Sequence, residues 1–155
     1  MAKITSPRVA IIMGSKSDLP TMEAAQKVML DEFGVESDIM VASAHRNPAK
    51  VVEFAQNADK KYSAIIAGAG MAAHLPGVIA AYTTLPVIGV PIESKGLNGM
   101  DALFSIVQMP PGIPVATVAI NGAKNAGILA VEIMALRFDE LQKKLTAYRK
   151  KLASA

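Results

Sequence analysis

The chain contains no cysteine and no tryptophan among its 155 residues, and only four Phe and three Tyr. Without cysteine there are no disulfides, no thiolate nucleophile and no sulfur ligands for zinc, a composition that fits a cytoplasmic protein. Single-stranded nucleic-acid binding needs aromatic platforms set in a basic groove. Here the aromatics are few and the charge lies elsewhere. From Arg137 onward there are six Lys or Arg against two Asp or Glu, so the net charge of +3 resides in the C-terminal segment. Such a segment reads as a solvated helix face, not as a nucleic-acid footprint. Although 52% of residues are hydrophobic, no apolar run reaches the ~18 residues of a membrane span. Met1 to Arg8 is short and polar and has no secretory apolar core. The expectation is one domain over residues 1–155, with a core at about 8–136 and an amphipathic C-terminal helix at about 137–152.

What is present begins with Val9 to Asp18. Val9 to Met13 has the length and β-branched content of a strand buried on both faces. It stops at Gly14, and Ser15-Lys16-Ser17-Asp18 follows before a helix over Leu19 to Phe33. Asp18 is in position to cap that helix, with Pro20 in its first turn and Gly34 as its stop. A polar turn between strand and helix points hydroxyls and backbone N–H groups above the strand end, an arrangement suited to an anion.

The rest of the chain repeats this alternation. A second strand, Glu36 to Ala42, runs into Ser43-Ala44-His45-Arg46, and Asn47-Pro48 opens the next helix. A third strand, Ser63 to Ala67, leads into Gly68-Ala69-Gly70-Met71-Ala72-Ala73-His74 and a short helix from Leu75 to Tyr82. A fourth strand spans Pro86 to Val90 before the loop Pro91 to Gly99, and Met100 to Gln108 is helical. Ile113 to Ile120 holds a fifth strand, and the helix Ala126 to Leu136 follows a polar turn. Alternating strands and helices imply a three-layer α/β fold around a parallel sheet with right-handed crossovers. Five strands of this length fit the doubly wound, flavodoxin-like order 2-1-3-4-5, which places the loops after strands one and three beside the topological switch point. The last segment sets Phe138, Leu141, Leu145, Tyr148 and Leu152 on one stripe. Because five β/α units already close the domain, this extra helix needs another surface, either its own domain or a neighbouring subunit, and the apolar composition favours the subunit.

Both histidines of the chain, His45 and His74, fall in these strand-end loops. Histidine exchanges protons near neutrality, and Arg46 beside it offers a fork of donors to phosphate or carboxylate. Two histidines with no cysteine and no nearby acidic helix motif do not form a zinc ligand set. Gly68 to Ala73 matches G-x-G-x-x-A, with Glu93 at a suitable separation, but it follows the third strand and Pro76-Gly77 interrupts the helix behind it. The glycines are better suited to close backbone approach to a small ligand. A flavin site lacks stacking aromatics in these loops. A phosphoacceptor site lacks an aspartate at the end of strand three, and no G-x-S-x-G nucleophile elbow is present.

Taken together, Gly14-Ser15-Lys16-Ser17-Asp18, Ser43-Ala44-His45-Arg46, Ala69-Gly70-Met71-Ala72-Ala73-His74-Leu75-Pro76-Gly77 and Ser105-Ile106-Val107-Gln108-Met109-Pro110 resemble the catalytic subunit of purine-biosynthetic phosphoribosylaminoimidazole carboxylases. The closer likeness is to class I members, the 5-(carboxyamino)imidazole ribonucleotide mutases. Class II members, which use free carbon dioxide, typically carry Lys in place of Arg46 and a Gly-Arg-Ser-Asn-type loop in place of Ala72-Ala73-His74. One departure is Met71, where many class I members have Gly.

The resemblance implies an isomerase of purine (IMP) biosynthesis. It would move the carboxylate of 5-carboxyamino-1-(5-phosphoribosyl)imidazole from the exocyclic nitrogen to ring carbon C4, with no metal and no organic cofactor. It implies His45 as the proton carrier, Ser15, Ser17 and Arg46 on the anionic groups with Ser43 assisting, and Asp18 on the ribose hydroxyls. Ala69, Gly70, Ala72 and Leu75 would wall the pocket. His74 is left between a contact to the migrating carboxylate and a structural role. A homo-octamer with sites at subunit interfaces is also implied, as is a link to a separate ATP-dependent carboxylating enzyme. Two alternatives stay open at this level: a carboxylase of aminoimidazole ribonucleotide using free carbon dioxide, and a non-catalytic nucleotide- or flavin-binding module.

Overall fold

The computed structural model describes residues 6–154; the polar stretch expected at Met1 to Arg8 lies largely outside them. Five strands form one parallel sheet, β1 (Arg8–Met13), β2 (Glu36–Val41), β3 (Ala64–Gly70), β4 (Val87–Ile92) and β5 (Ala116–Thr117), in the order β2-β1-β3-β4-β5. This is the order expected from the sequence. The helices are α1 (Leu19–Phe33), α2 (Pro48–Asn57), α3 (Leu75–Ala81), α4 (Met100–Val107), α5 (Ala123–Ala135) and α6 (Asp139–Ala153).

The period of two along each strand divides the core into two layers. Val9, Ile11 and Met13 of β1 join Ala64 and Ile66 of β3 and Ile88 and Val90 of β4 beneath α1, α5 and α6. Ala10 and Ile12 join Ile65, Ala67 and Val87 on the opposite face, beneath α2, α3 and α4. Every one of Val9 to Met13 is fully buried, as a central parallel strand covered on both faces requires.

Three expectations need correction. Helix α6 folds onto its own domain: Leu141, Leu145 and Tyr148 are buried in the same layer as α1 and α5. The Tyr148 ring meets Phe33 edge-on at 5.2 Å, and Lys144 Nζ donates to the Phe33 carbonyl at 2.6 Å. Of that stripe only Leu152, at 51% exposure, is left uncovered. Strand β3 runs on to Gly70 and β4 to Ile92, pairing Gly68, Ala69 and Gly70 with Val90, Pro91 and Ile92. The glycines hid this extension, because glycine is a poor strand former. The space is nevertheless too small for a side chain: a Cβ on Gly68 would lie 2.4 Å from Met22 Sδ. Finally, α5 starts at Ala123, ahead of the expected start at Ala126.

At the amino-terminal edge of β1 and β2, Asp38 ties three side chains together. Arg8 donates to it through Nε and Nη2 at 3.2 and 2.6 Å, Tyr62 donates its hydroxyl at 2.8 Å, and Lys61 Nζ lies 2.6 Å away. The Arg8 hydrogen bonds, followed by that of Lys61, hold the Asp38 carboxyl well below the usual carboxylate range. Because the folded state lowers this affinity for a proton, the stabilisation is present above the unfolded value of about 4 and is lost as pH falls through the folded value. Asp38→Asn is expected to lower stability at pH 7 by about 1–2 kcal/mol. In denaturant titrations that difference from wild type should shrink toward zero in strong acid; a difference independent of pH would refute the clamp.

Candidate active site

At the carboxyl edge of the sheet a cleft of about 570 Å³ opens between the ends of β1, β2, β3 and β4. Its lining contains every site residue expected from the sequence, namely Ser15, Ser17, Asp18, Ser43, His45, Arg46, Ala69, Gly70, Ala72, His74 and Leu75. It also contains Gly14, Ala44, Met71, Ile92, Glu93 and Ser94.

The turn after β1 is a 3-10 turn over Lys16–Asp18, and its cap is Ser15, not Asp18. Ser15 is extended (φ −147°, ψ 152°), whereas Asp18 is already helical and makes no side-chain cap to α1. The result is a capping box. The Ser17 amide donates to Ser15 Oγ at 3.3 Å, and the Ser15 amide donates to Asp18 Oδ2 at 3.1 Å. The Ser17 hydroxyl lies 2.8 Å from Ser15 Oγ and 3.3 Å from Asp18 Oδ1; its one proton serves one of them at a time. Burial pushes the Asp18 carboxyl above its ordinary range, opposed in part by the Ser17 hydroxyl, the Ser15 amide and the Arg46 charge.

The loop after β2 is held by its own polar groups. The Ser43 amide donates to Asn47 Oδ1 at 2.6 Å and the Arg46 amide to Ser43 Oγ at 3.3 Å. Asn47 therefore braces the loop that precedes it, while Pro48 opens α2 without a side-chain cap from Asn47. Arg46 Nη2 donates to the Gly14 carbonyl at 2.7 Å, joining the β2 loop to the β1 turn and leaving the rest of the guanidinium fork at the cleft.

The third wall follows β3. A Cβ on Gly70 would lie 3.0 Å from the Ile92 carbonyl oxygen, so glycine is what lets this strand tip approach β4. Met71 then takes a left-handed conformation (φ +56°) with its side chain 65% exposed. The chain turns back to His74, whose Nδ1 lies 2.7 Å from His45 Nε2. The rings meet edge to face, with centroids 4.8 Å apart and planes at 79°. Both imidazoles are exposed to the cleft side of the chain, and one ring donates while the other accepts. Among the described residues no group of three or more His, Asp or Glu is placed to hold a metal ion.

Sequence reasoning missed the β4 contribution, Ile92 to Ser94. The sign was available: in the order 2-1-3-4-5 the tip of β4 lies beside that of β3, and Glu93-Ser94 begins where the strand ends.

The fold and cleft define a doubly wound α/β enzyme of the flavodoxin-like class. The chain belongs to the AIR carboxylase family, whose sequence model matches residues 8–155. It is 59% identical over 150 residues to N5-carboxyaminoimidazole ribonucleotide mutase of Pyrococcus abyssi, covering 96% of this chain and 86% of that one. To the mutase of Thermotoga maritima it is 56% identical over 147 residues, with 94% and 85% covered. The crystal structure of Treponema denticola PurE superposes with a TM-score of 0.86 at 31% identity, over 96% of this chain and 92% of that chain. No helix among the described residues is long and apolar enough to cross a membrane.

Proposed function

We propose that the cleft binds a phosphoribosyl aminoimidazole carrying a carboxylate on its exocyclic nitrogen and moves that carboxylate to C4. The protein is an isomerase of purine biosynthesis. One observation carries this reading: a hydrogen-bonded pair of imidazoles, 2.7 Å between nitrogens, stands in a cleft that also holds Arg46 and the Ser15–Asp18 turn. The identity to mutases, 59% in the Pyrococcus abyssi case, supports it.

Arg46 and the hydroxyls of Ser15 and Ser17 take the anionic groups of the substrate, with Ser43 assisting, and Asp18 accepts from the ribose. His45 gives a proton to the exocyclic nitrogen as the N–CO2 bond breaks, the bonding pair staying on nitrogen. The electron-rich C4 then attacks the released carbon dioxide and forms the new C–C bond. The C4 proton returns to His45 as the ring regains aromaticity, so the catalyst ends as it began. Ala69, Gly70, Ala72 and Leu75 wall the space in which carbon dioxide is held, and the loop amides from Met71 onward orient the migrating carboxylate. His74, in contact with His45, sets the orientation of the acting ring.

The assembly we assign is a homo-octamer in the cytoplasm, fed by a separate ATP-dependent carboxylating enzyme. Exposed Leu97, Met100, Phe104 and Val107, at 43–62% exposure along and before α4, form an apolar face suited to subunit packing. The test of function is a comparison by ultraviolet absorbance of two starting mixtures. The carboxyamino ribonucleotide is expected to convert rapidly. Rapid conversion only from aminoimidazole ribonucleotide plus bicarbonate would make the protein a carboxylase that uses free carbon dioxide.

A further inference from the structure

The tip of β4 bears a side chain without a place in the proposed chemistry. Glu93 lies at the cleft, exposed, where Ile92 leaves the sheet. It is held there by one residue. Asn121, in the turn before α5, accepts from the Glu93 amide at 3.0 Å and donates through Nδ2 to Glu93 Oε2 at 3.0 Å. The Asn121 amide in turn donates to the Pro91 carbonyl at 2.8 Å. To make these three bonds Asn121 adopts a left-handed backbone (φ +57°), a conformation asparagine tolerates better than most residues. A glutamate free on a loop samples many rotamers; this one is fixed at backbone and carboxylate together.

Fixing Glu93 leaves Oε1 with no hydrogen-bond partner among the described residues. Glu93 shares with Ser17 and Asp18 a shallow depression that continues from the cleft and reaches Asn121. Among the described residues Lys95 is the one cation lining that depression, against the carboxylates of Glu93 and Asp18, so the phosphate belongs toward Ser15 and Arg46 and the hydroxyl-bearing part of the ligand on the Glu93 side. A carboxylate oxygen with spare lone pairs takes a hydroxyl proton well and offers nothing to a carbon-bound hydrogen.

We infer that Glu93, held by Asn121, is a specificity-determining residue that accepts a hydrogen bond from one ribose hydroxyl, beside Asp18, and so selects ribonucleotide over deoxyribonucleotide substrate. Asn121 is its positioning residue. This rests on the function proposed above.

Steady-state kinetics on the carboxyamino ribonucleotide and its 2′-deoxy and 3′-deoxy counterparts test it. Glu93→Gln is expected to raise KM for the ribonucleotide about ten-fold, the size of a weakened charge-assisted hydrogen bond, with kcat within about two-fold. For the counterpart lacking the bonded hydroxyl that increase should vanish. Asn121→Gly, which keeps the left-handed backbone while removing the clamp, should reproduce the same loss of selectivity, with thermal unfolding checked in parallel. Equal changes on all three substrates, or an unchanged ribonucleotide KM, would overturn the inference and leave the mutase reading intact. A wild-type enzyme that converts none of the three would overturn both.

Discussion

Replacing His45 by asparagine is expected to lower kcat by about 10²–10⁴-fold, the range for removal of a general acid–base group, while substrate affinity changes only a few-fold. The reaction as derived needs one group to deliver a proton to nitrogen and collect one from carbon. Of the other groups at the cleft, Arg46 and Asp18 do not suit both tasks, and His74 is assigned the orienting role beside His45. A guanidinium donates hydrogen bonds and accepts none, and Asp18 is bound into the capping box through the Ser15 amide. Asparagine retains a polar group near His74 and roughly the volume of the imidazole, so the cleft itself should persist. Binding of the nucleotide, followed by calorimetry, separates loss of chemistry from loss of the site. Turnover at the wild-type rate would remove His45 from the mechanism. His74→Asn should cost less, because it removes the orienting partner at 2.7 Å and leaves the acting ring in place.

Gly127→Ala is expected to destabilise the protein by about 1–2 kcal/mol, against the ordinary direction of a glycine-to-alanine change in a helix. Intrinsic propensity favours alanine by about 1 kcal/mol. At this position, however, the new Cβ would lie 2.8 Å from the Ala25 carbonyl oxygen, 2.8 Å from Val28 Cγ1 and 3.2 Å from Ala25 Cα. Two of those atoms are backbone of α1, which cannot rotate aside, and overpacking of this kind costs about 1–3 kcal/mol. Helices α1 and α5 would have to separate. Because α1 continues directly from the Ser15–Asp18 turn, the shift should also raise KM. Urea unfolding measures the first effect and steady-state kinetics the second. A variant more stable than wild type would show that the two helices have room to spare.

The parts legible in the sequence were those governed by local chemistry. Val9 to Met13 announced a central strand by its unbroken apolar run, Gly34 ends α1 in the left-handed conformation expected of it (φ +65°), and both histidines fell where the alternation placed strand ends. The parts that were not legible depend on which surfaces meet. The stripe Leu141, Leu145 and Tyr148 specified an apolar face on α6, but nothing in it named Phe33 and the α1–α5 groove as its cover. Asp18 and Ser15 are both good caps, and only the inserted 3-10 turn decides between them. Gly68 to Gly70 carried the composition of a loop because the constraint that makes them strand, the closeness of Met22 and Ile92, lies far away in sequence.

The cleft draws on four strand tips, and β1, at its centre, pairs with β2 on one side and β3 on the other. A nascent chain therefore cannot display the complete cleft until β4 has emerged and docked beside β3, well past the midpoint of the sequence. During refolding, turnover cannot recover before all four tips are in register, which makes it a late reporter of assembly.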